Sequence, residues 1–154
     1  MALIDLTTVV RAPAEQVFDL SLDVDAHTAS MARSRERVVA GVDSGRMSLG
    51  DTVTWAARHF GVRWRMTSRI SAYDRPHRFV DEQVTGPFRH WHHEHTFSWD
   101  ESATATIMRD VVDFAAPLGA LGRTVDALLL ERYMCRLIER RNAHLARAFA
   151  AGAR

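Results

Sequence analysis

The sequence predicts an α+β domain, in which a curved antiparallel sheet of about six or seven strands wraps around one long C-terminal helix, with two short helices after the first strand. Three observations predict it. Short segments rich in Val, Thr, Ile and aromatics recur between turn signals from Arg35 to Phe114, at hairpin spacing. From Pro117 to Phe149, apolar residues recur at helical spacing for roughly 30 residues, far above the usual helix length. A helix that long in one small domain needs a long apolar partner, and a strongly curved sheet supplies it.

Taken in order, Leu3 to Arg11 is β-branched and reads as a strand. Pro13 then suits a first helical turn and Glu15 favours the positive helix start, with Val17, Phe18 and Leu22 turned to a core. A second short helix covers Val24 to Met31, capped by Asp23 or Asp25. Arg35 to Val42 is the next strand, closed by the turn Asp43-Ser44-Gly45. Asp51 to Phe60 and Val62 to Tyr73 follow, broken at Gly61, and Asp74-Arg75-Pro76 makes another turn. Arg78 to Val84, Phe88 to Trp99 and Thr104 to Phe114 complete the sheet. In the last helix, Leu121, Val125, Leu128, Met134, Leu137, Ile138, Leu145 and Phe149 form the apolar stripe, while Arg132, Arg136, Glu139, Arg140 and Arg147 face water.

A length of 154 residues fits a single domain, 1–154, able to bury one core and an internal cavity. The net charge is +1, which gives no reason to expect nucleic acid or an anionic membrane as a partner. All 20 basic residues are arginine, so Schiff-base and lysine-nucleophile mechanisms are excluded for the side chains. Cys135 is the single cysteine; no intrachain disulfide can form, and a buried inert thiol is expected. The first ten residues lack the charge and apolar run of a signal peptide, and no stretch is apolar enough to span a membrane. A cytoplasmic protein is therefore expected.

Four of the eight histidines fall within His90–His95. On a strand, alternate side chains share a face. Trp91, His93, His95 and Phe97 then form an apolar face carrying two imidazoles, while His90, His92, Glu94 and Thr96 form a solvated one. A four-residue loop over Asp100–Ala103 would pair Trp99 with Thr104, His95 with Met108, His93 with Asp110 and Trp91 with Val112. Opposed residues lie ~5 Å apart at Cβ, so this register sets Asp110 beside His93. Asp81 shares a face with Phe79 and Gln83 on the preceding strand and can join them.

The order strand, two short helices, six strands and long helix is the helix-grip arrangement. With Ala12-Pro13-Ala14-Glu15-Gln16-Val17-Phe18, Asp74-Arg75-Pro76-His77-Arg78-Phe79, Gly86-Pro87-Phe88, Trp91-x-His93-x-His95-x-Phe97, Met108-x-Asp110-x-Val112 and Pro117-Leu118-Gly119, the chain resembles the START-like, Bet v 1-like (SRPBCC) superfamily. Within it, the resemblance is to the polyketide cyclase/dehydrase and lipid-transport group, over essentially the whole chain. The resemblance implies a deep apolar cavity under the long helix, taking a lipid, quinone, polyketide or similar molecule. It also implies a scaffold shared by carriers, co-chaperone-like modules and cyclases. Some aromatase members carry an arginine and a serine in phase on the strand matching Trp64 to Ile70. Here that face reads Trp64, Met66, Ser68, Ile70, while Arg63, Arg65 and Arg69 have the opposite parity, which departs from the aromatase pattern.

The expected function is binding of a hydrophobic small molecule, with Trp55, Trp64, Met66, Ser68, Phe79, Asp81, Trp91, His93, His95, Met108 and Asp110 as candidate ligand-binding residues. Met31 and Met47 fall where the resemblance implies a mobile entrance, with Arg33, Arg35 and Arg37 on its solvated rim. The alternative is a cyclase or dehydratase using His93 as acid or base, oriented by Asp110. A further alternative is a protein-interaction module, with a filled cavity and an exposed apolar patch. The His93–Asp110 pair also fits a purely structural role. His93, His95 and Asp110 would be the donors of a metal site, but no metal and no cofactor are expected. Oligomeric state is not legible.

Overall fold

The computed structural model describes residues 1–116 and 127–152. Its elements are β1 (Ala2–Val10), α1 (Ala14–Ser21), α2 (Val24–Ser30), a 3-10 turn (Ala32–Ser34), β2 (Arg37–Gly41), β3 (Thr52–His59), β4 (Val62–Asp74), β5 (Arg78–Thr85), β6 (His90–Asp100), β7 (Ala105–Ala115) and α3 (Ala127–Ala151). The strands form one antiparallel sheet in the order β1-β7-β6-β5-β4-β3-β2. Each neighbour follows its predecessor in sequence except β1, which closes onto β7. This is the helix-grip fold expected from the sequence. Pro117, Leu121 and Val125, read above as the start of the last helix, lie outside the described residues.

Local chemistry sets the boundaries. Asp23 caps α2 by accepting a hydrogen bond from the Ala26 N–H at 2.8 Å, which singles it out from Asp25. Arg35 leaves the 3-10 turn in the left-handed region (φ 52°), so β2 begins two residues later than the Val-rich pattern implies. β2 then carries an irregularity at Val38/Ala40 and ends on Gly41 (φ +82°). A Cβ there would collide with the Thr52 carbonyl, so only glycine lets the two backbones approach.

The core divides around the two ends of the helix. At one end, Phe18 of α1 is wholly buried, and Tyr73, Phe79 and Phe97 meet its ring edge-on at 5.3, 5.4 and 5.4 Å. Val10, Val17, Met108 and Leu145 close this cluster. At the other end, Phe88, Trp91, Val112, Phe114, Leu130 and Ile138 pack together with Ile4. Met47, placed by sequence at the entrance, is buried among the first cluster while still touching the cavity. Arg33, Arg35 and Arg37 are exposed, as a solvated rim requires. Cys135 departs from its expected burial: it is half-buried on α3 beside β1, where burial and then the nearby Glu139 carboxylate raise its thiol pKa.

Candidate functional site

A cavity lies between the concave face of the sheet and α3. The space open to water-sized molecules is about 170 Å³. Its walls are mostly apolar: Val53, Trp55, Ala57, Trp64, Met66 and Ile70 from the sheet, and Leu130, Met134, Leu137 and Ile138 from the helix. Of the eleven sequence candidates, Trp55, Trp64, Met66, Ser68, Phe79, Asp81, Trp91, His93 and His95 line this space. Met108 and Asp110 are corrections. Both are wholly buried, but behind the wall: Met108 packs in the Phe18 cluster and Asp110 stands beneath the imidazoles.

The alternation on β6 is as the period predicts. Trp91, His93, His95 and Phe97 are all buried, while His90, His92, Glu94 and Thr96 are half-buried or exposed. The hairpin register needs a second correction. His95, not His93, lies opposite Asp110; His93 faces Val112, Trp91 faces Phe114 and Phe97 faces Met108. The cause is Asp100. It ends the strand paired with Ala105, and its carboxylate accepts from the Ser102 N–H, the Ser102 hydroxyl and the Ala103 N–H. The loop keeps four residues but runs from Glu101 to Thr104, one position later than expected. A one-residue slide of a fixed-length loop moves every partner by two, so every side chain keeps its face.

Asp110 therefore serves both imidazoles. His93 Nε2 donates to Asp110 Oδ1 at 2.9 Å. His95 Nδ1 also lies 2.9 Å from that oxygen, yet it is poorly aligned and is the one buried side-chain polar atom among the described residues without a hydrogen-bond partner. On the cavity side, His95 Nε2 donates to Asp81 Oδ2 at 2.9 Å, and His93 Nδ1 stands 3.6 Å from the same oxygen. Trp91 Nε1 donates to Asp81 Oδ1 at 3.3 Å. The two rings are 3.7 Å apart, centre to centre.

The helix supplies what sequence reading missed. Asn142 Nδ2 donates to Asp110 Oδ2 at 2.7 Å and to Thr8 Oγ1 at 3.2 Å. Arg141 donates to the side-chain amide oxygen of Asn142 and to the Ser21 carbonyl, and its guanidinium lies 3.5 Å from Asp110 Oδ1. Both helix residues are buried. Their signal was a gap: the stripe Met134, Leu137/Ile138, Leu145, Phe149 skips the turn at 141 and 142, where two polar residues occupy core positions. His27, Glu36, His59 and Tyr133 also reach the cavity. His27 lies over Trp55 and bonds Glu36 at 2.6 Å, and His59 bonds the Tyr133 hydroxyl at 2.8 Å.

Electrostatics follow from these partners. Burial alone would raise the Asp81 and Asp110 carboxyls. Burial is the largest single effect, but the hydrogen bonds and charge interactions of the imidazoles, with Arg141 adding to them at Asp81, together outweigh it, holding Asp81 down to about 2 and Asp110 well below the ordinary range. Burial, and then the neighbouring His95, push His93 down, which favours its neutral ring. A neutral His93 whose Nε2–H is fixed on Asp110 presents a bare Nδ1 lone pair toward the cavity. Such a nitrogen can accept a proton, accept a hydrogen bond or bind a cation.

A curved sheet gripping a helix across a mostly apolar cavity defines the helix-grip fold seen in START and Bet v 1-like proteins. The chain belongs to the family described as polyketide cyclase / dehydrase and lipid transport, whose model matches residues 1–150. Among solved structures, it is similar to a protein of Thermus thermophilus, with a TM-score of 0.72 and 16% identity over 96% of this chain and 99% of that one. A START superfamily protein from Mycobacterium smegmatis matches with a TM-score of 0.72 and 13% identity, over 97% of each chain. A major latex-like protein from Panax ginseng matches with a TM-score of 0.61 and 13% identity, over 93% of this chain and 96% of that one. These likenesses carry the fold. Comparison with curated proteins finds no match by sequence. Among the described residues, no helix is long and apolar enough to cross a membrane.

Proposed function

We propose that the protein binds a hydrophobic small molecule between the sheet and α3, with the ligand's polar end at Asp81, His93 and His95. The observation that carries this reading is the make-up of the cavity: walls that are mostly aromatic and aliphatic, into which Asp81, His93 and His95 converge as one polar cluster, with the His27–Glu36 and His59–Tyr133 pairs elsewhere on the lining. Apolar walls supply affinity without direction, and a few fixed polar groups supply orientation. In this cluster the acceptors dominate, with the Asp81 carboxylate and the His93 Nδ1 lone pair side by side. A ligand with a hydroxyl or phenol head fits that pattern; one with a carboxylate head meets repulsion from Asp81.

The cavity lies open to solvent-sized molecules, which supports a ligand-binding role over a protein-interaction module with a filled interior. Native mass spectrometry of freshly purified protein is the test. A co-purified small molecule, or saturable uptake of a long-chain alcohol or alkylphenol, is expected. Ala57→Phe places a ring inside the cavity from β3 and should abolish uptake while the circular dichroism spectrum is unchanged. Uptake by that variant equal to wild type would remove the cavity as the binding place.

A further inference from the structure

We propose that Asp81, His93 and His95 bind one divalent transition-metal ion, of the Zn²⁺ or Fe²⁺ kind, at the polar cluster they form in the cavity. The inference does not depend on the hydrophobic-ligand reading, because it rests on the directions of six polar atoms. It also departs from the sequence expectation, which gave no metal and would have used Asp110 as the carboxylate donor. The tertiary structure exchanges the two aspartates: Asp81 stands in front of the imidazoles and Asp110 behind them.

The front atoms converge. One donor atom from each of Asp81, His93 and His95 lies within 4.8 Å of the others. Asp81 Oδ2 is 2.9 Å from His95 Nε2 and 3.6 Å from His93 Nδ1. Ligands at 2.0–2.1 Å around a tetrahedral ion are roughly 3.4 Å apart, so small side-chain shifts would complete the set. Two imidazoles and one carboxylate, with the remaining positions facing an open cavity, is the donor count of catalytic zinc and non-haem iron sites.

The rear atoms supply what such ligands require. A ligating histidine donates its other ring N–H to a carboxylate, which fixes the tautomer, and a ligating carboxylate is itself hydrogen-bonded. Asp110 Oδ1 lies 2.9 Å from the rear nitrogen of both rings, and Trp91 Nε1 holds the far oxygen of Asp81. Asn142 and Arg141 in turn hold Asp110, and the guanidinium, which also borders the cavity, is tied to the Ser21 carbonyl.

The arrangement also explains the one orphaned buried nitrogen. Without a cation, the Asp81 carboxylate accepts a hydrogen bond from His95 Nε2–H, and His95 Nδ1 turns a lone pair toward Asp110. A cation at Nε2 replaces that hydrogen bond. The same proton then sits at Nδ1, where small ring rotation lets it donate to Asp110.

The test is calorimetric titration of Zn²⁺ into chelator-stripped, tag-free protein. One ion per chain is expected. His95→Ala and Asp81→Ala should each weaken it at least 100-fold, and Asp110→Asn by 10- to 100-fold, the usual effect of removing a supporting carboxylate. The paired change His90→Ala and His92→Ala, on the outer face, should leave it unchanged. Binding below one equivalent, or binding lost only in the outer-face pair, overturns the proposal. Should a variant fail to fold, Co²⁺ loading of the unaltered protein decides. Intense visible bands of a four- or five-coordinate ion support the site, and the weak spectrum of octahedral surface-bound Co²⁺ overturns it.

Discussion

Asn142 is the side chain on which the buried charge depends. It gives Asp110 Oδ2 its 2.7 Å hydrogen bond, takes one from Arg141 and ties α3 to Thr8 on β1. Asp110 has no exposure at all, so water cannot replace a lost partner. Removing one partner of a buried, hydrogen-bonded charge typically costs several kcal/mol. Asn142→Ala is therefore expected to lower stability by about 2–4 kcal/mol in urea unfolding. A loss below about 1 kcal/mol would mean that Asp110 is satisfied without it.

Two connections between elements govern how the site is aligned. The β6–β7 turn places Thr104 in the left-handed region (φ 50°), with its side chain exposed. A β-branched residue there is strained by about 1 kcal/mol, which glycine relieves. Thr104→Gly is expected to stabilise the protein by about 0.5–1 kcal/mol, read as a higher urea midpoint at constant slope. A lower midpoint would contradict it. The second connection ties α1 to the β4–β5 turn, where Arg75 donates to both Asp19 carboxylate oxygens at 2.8 and 3.0 Å and Arg46 adds a second ion pair. The Arg75 hydrogen bond, against a smaller opposing effect of burial, lowers the Asp19 pKa. A lowered folded-state pKa contributes stability above the unfolded value of about 3.9, and that contribution disappears as pH falls through the folded one. Because both arginines are well exposed, the contribution is at most about 1 kcal/mol. Asp19→Asn should thus be slightly less stable than wild type at pH 7 and converge with it as pH falls through the lowered folded-state value. Parallel curves across that range would remove the clamp.

For the molecule as a whole, stability and ligand binding draw on the same interior. A ligand that binds only the folded chain adds about 2.7 kcal/mol at one hundred times its Kd. Trp55, Trp64 and Trp91 line the cavity, while Trp99 is 41% exposed on the sheet. A bound apolar ligand should raise the melting temperature and shift the emission of the three inner tryptophans together. Ala57→Phe should lose both effects. A raised melting temperature with unchanged emission would place the ligand elsewhere.

The strands, the helices and the faces were legible in the order of residues alone. Period 2 in His90–Thr96 and the helical stripe on α3 are local properties, set by backbone geometry before any tertiary contact forms. They were sufficient to place Trp91, His93 and His95 inward and to indicate a sheet wrapped on a helix. Which carboxylate stands where was not legible, and it emerged from packing. The hairpin register turned on whether Asp100 belongs to the strand or the loop, and its side-chain bonds to Ser102 and Ala103 settled that. Asp81 reached the imidazoles because β5 lies beside β6, and Asn142 and Arg141 reached Asp110 from a helix at the far end of the chain. Contacts between distant segments depend on packing, which no local period encodes. The two inward histidines were thus legible as a pair, while their division of partners, Asp110 behind and Asp81 in front, belonged to the fold.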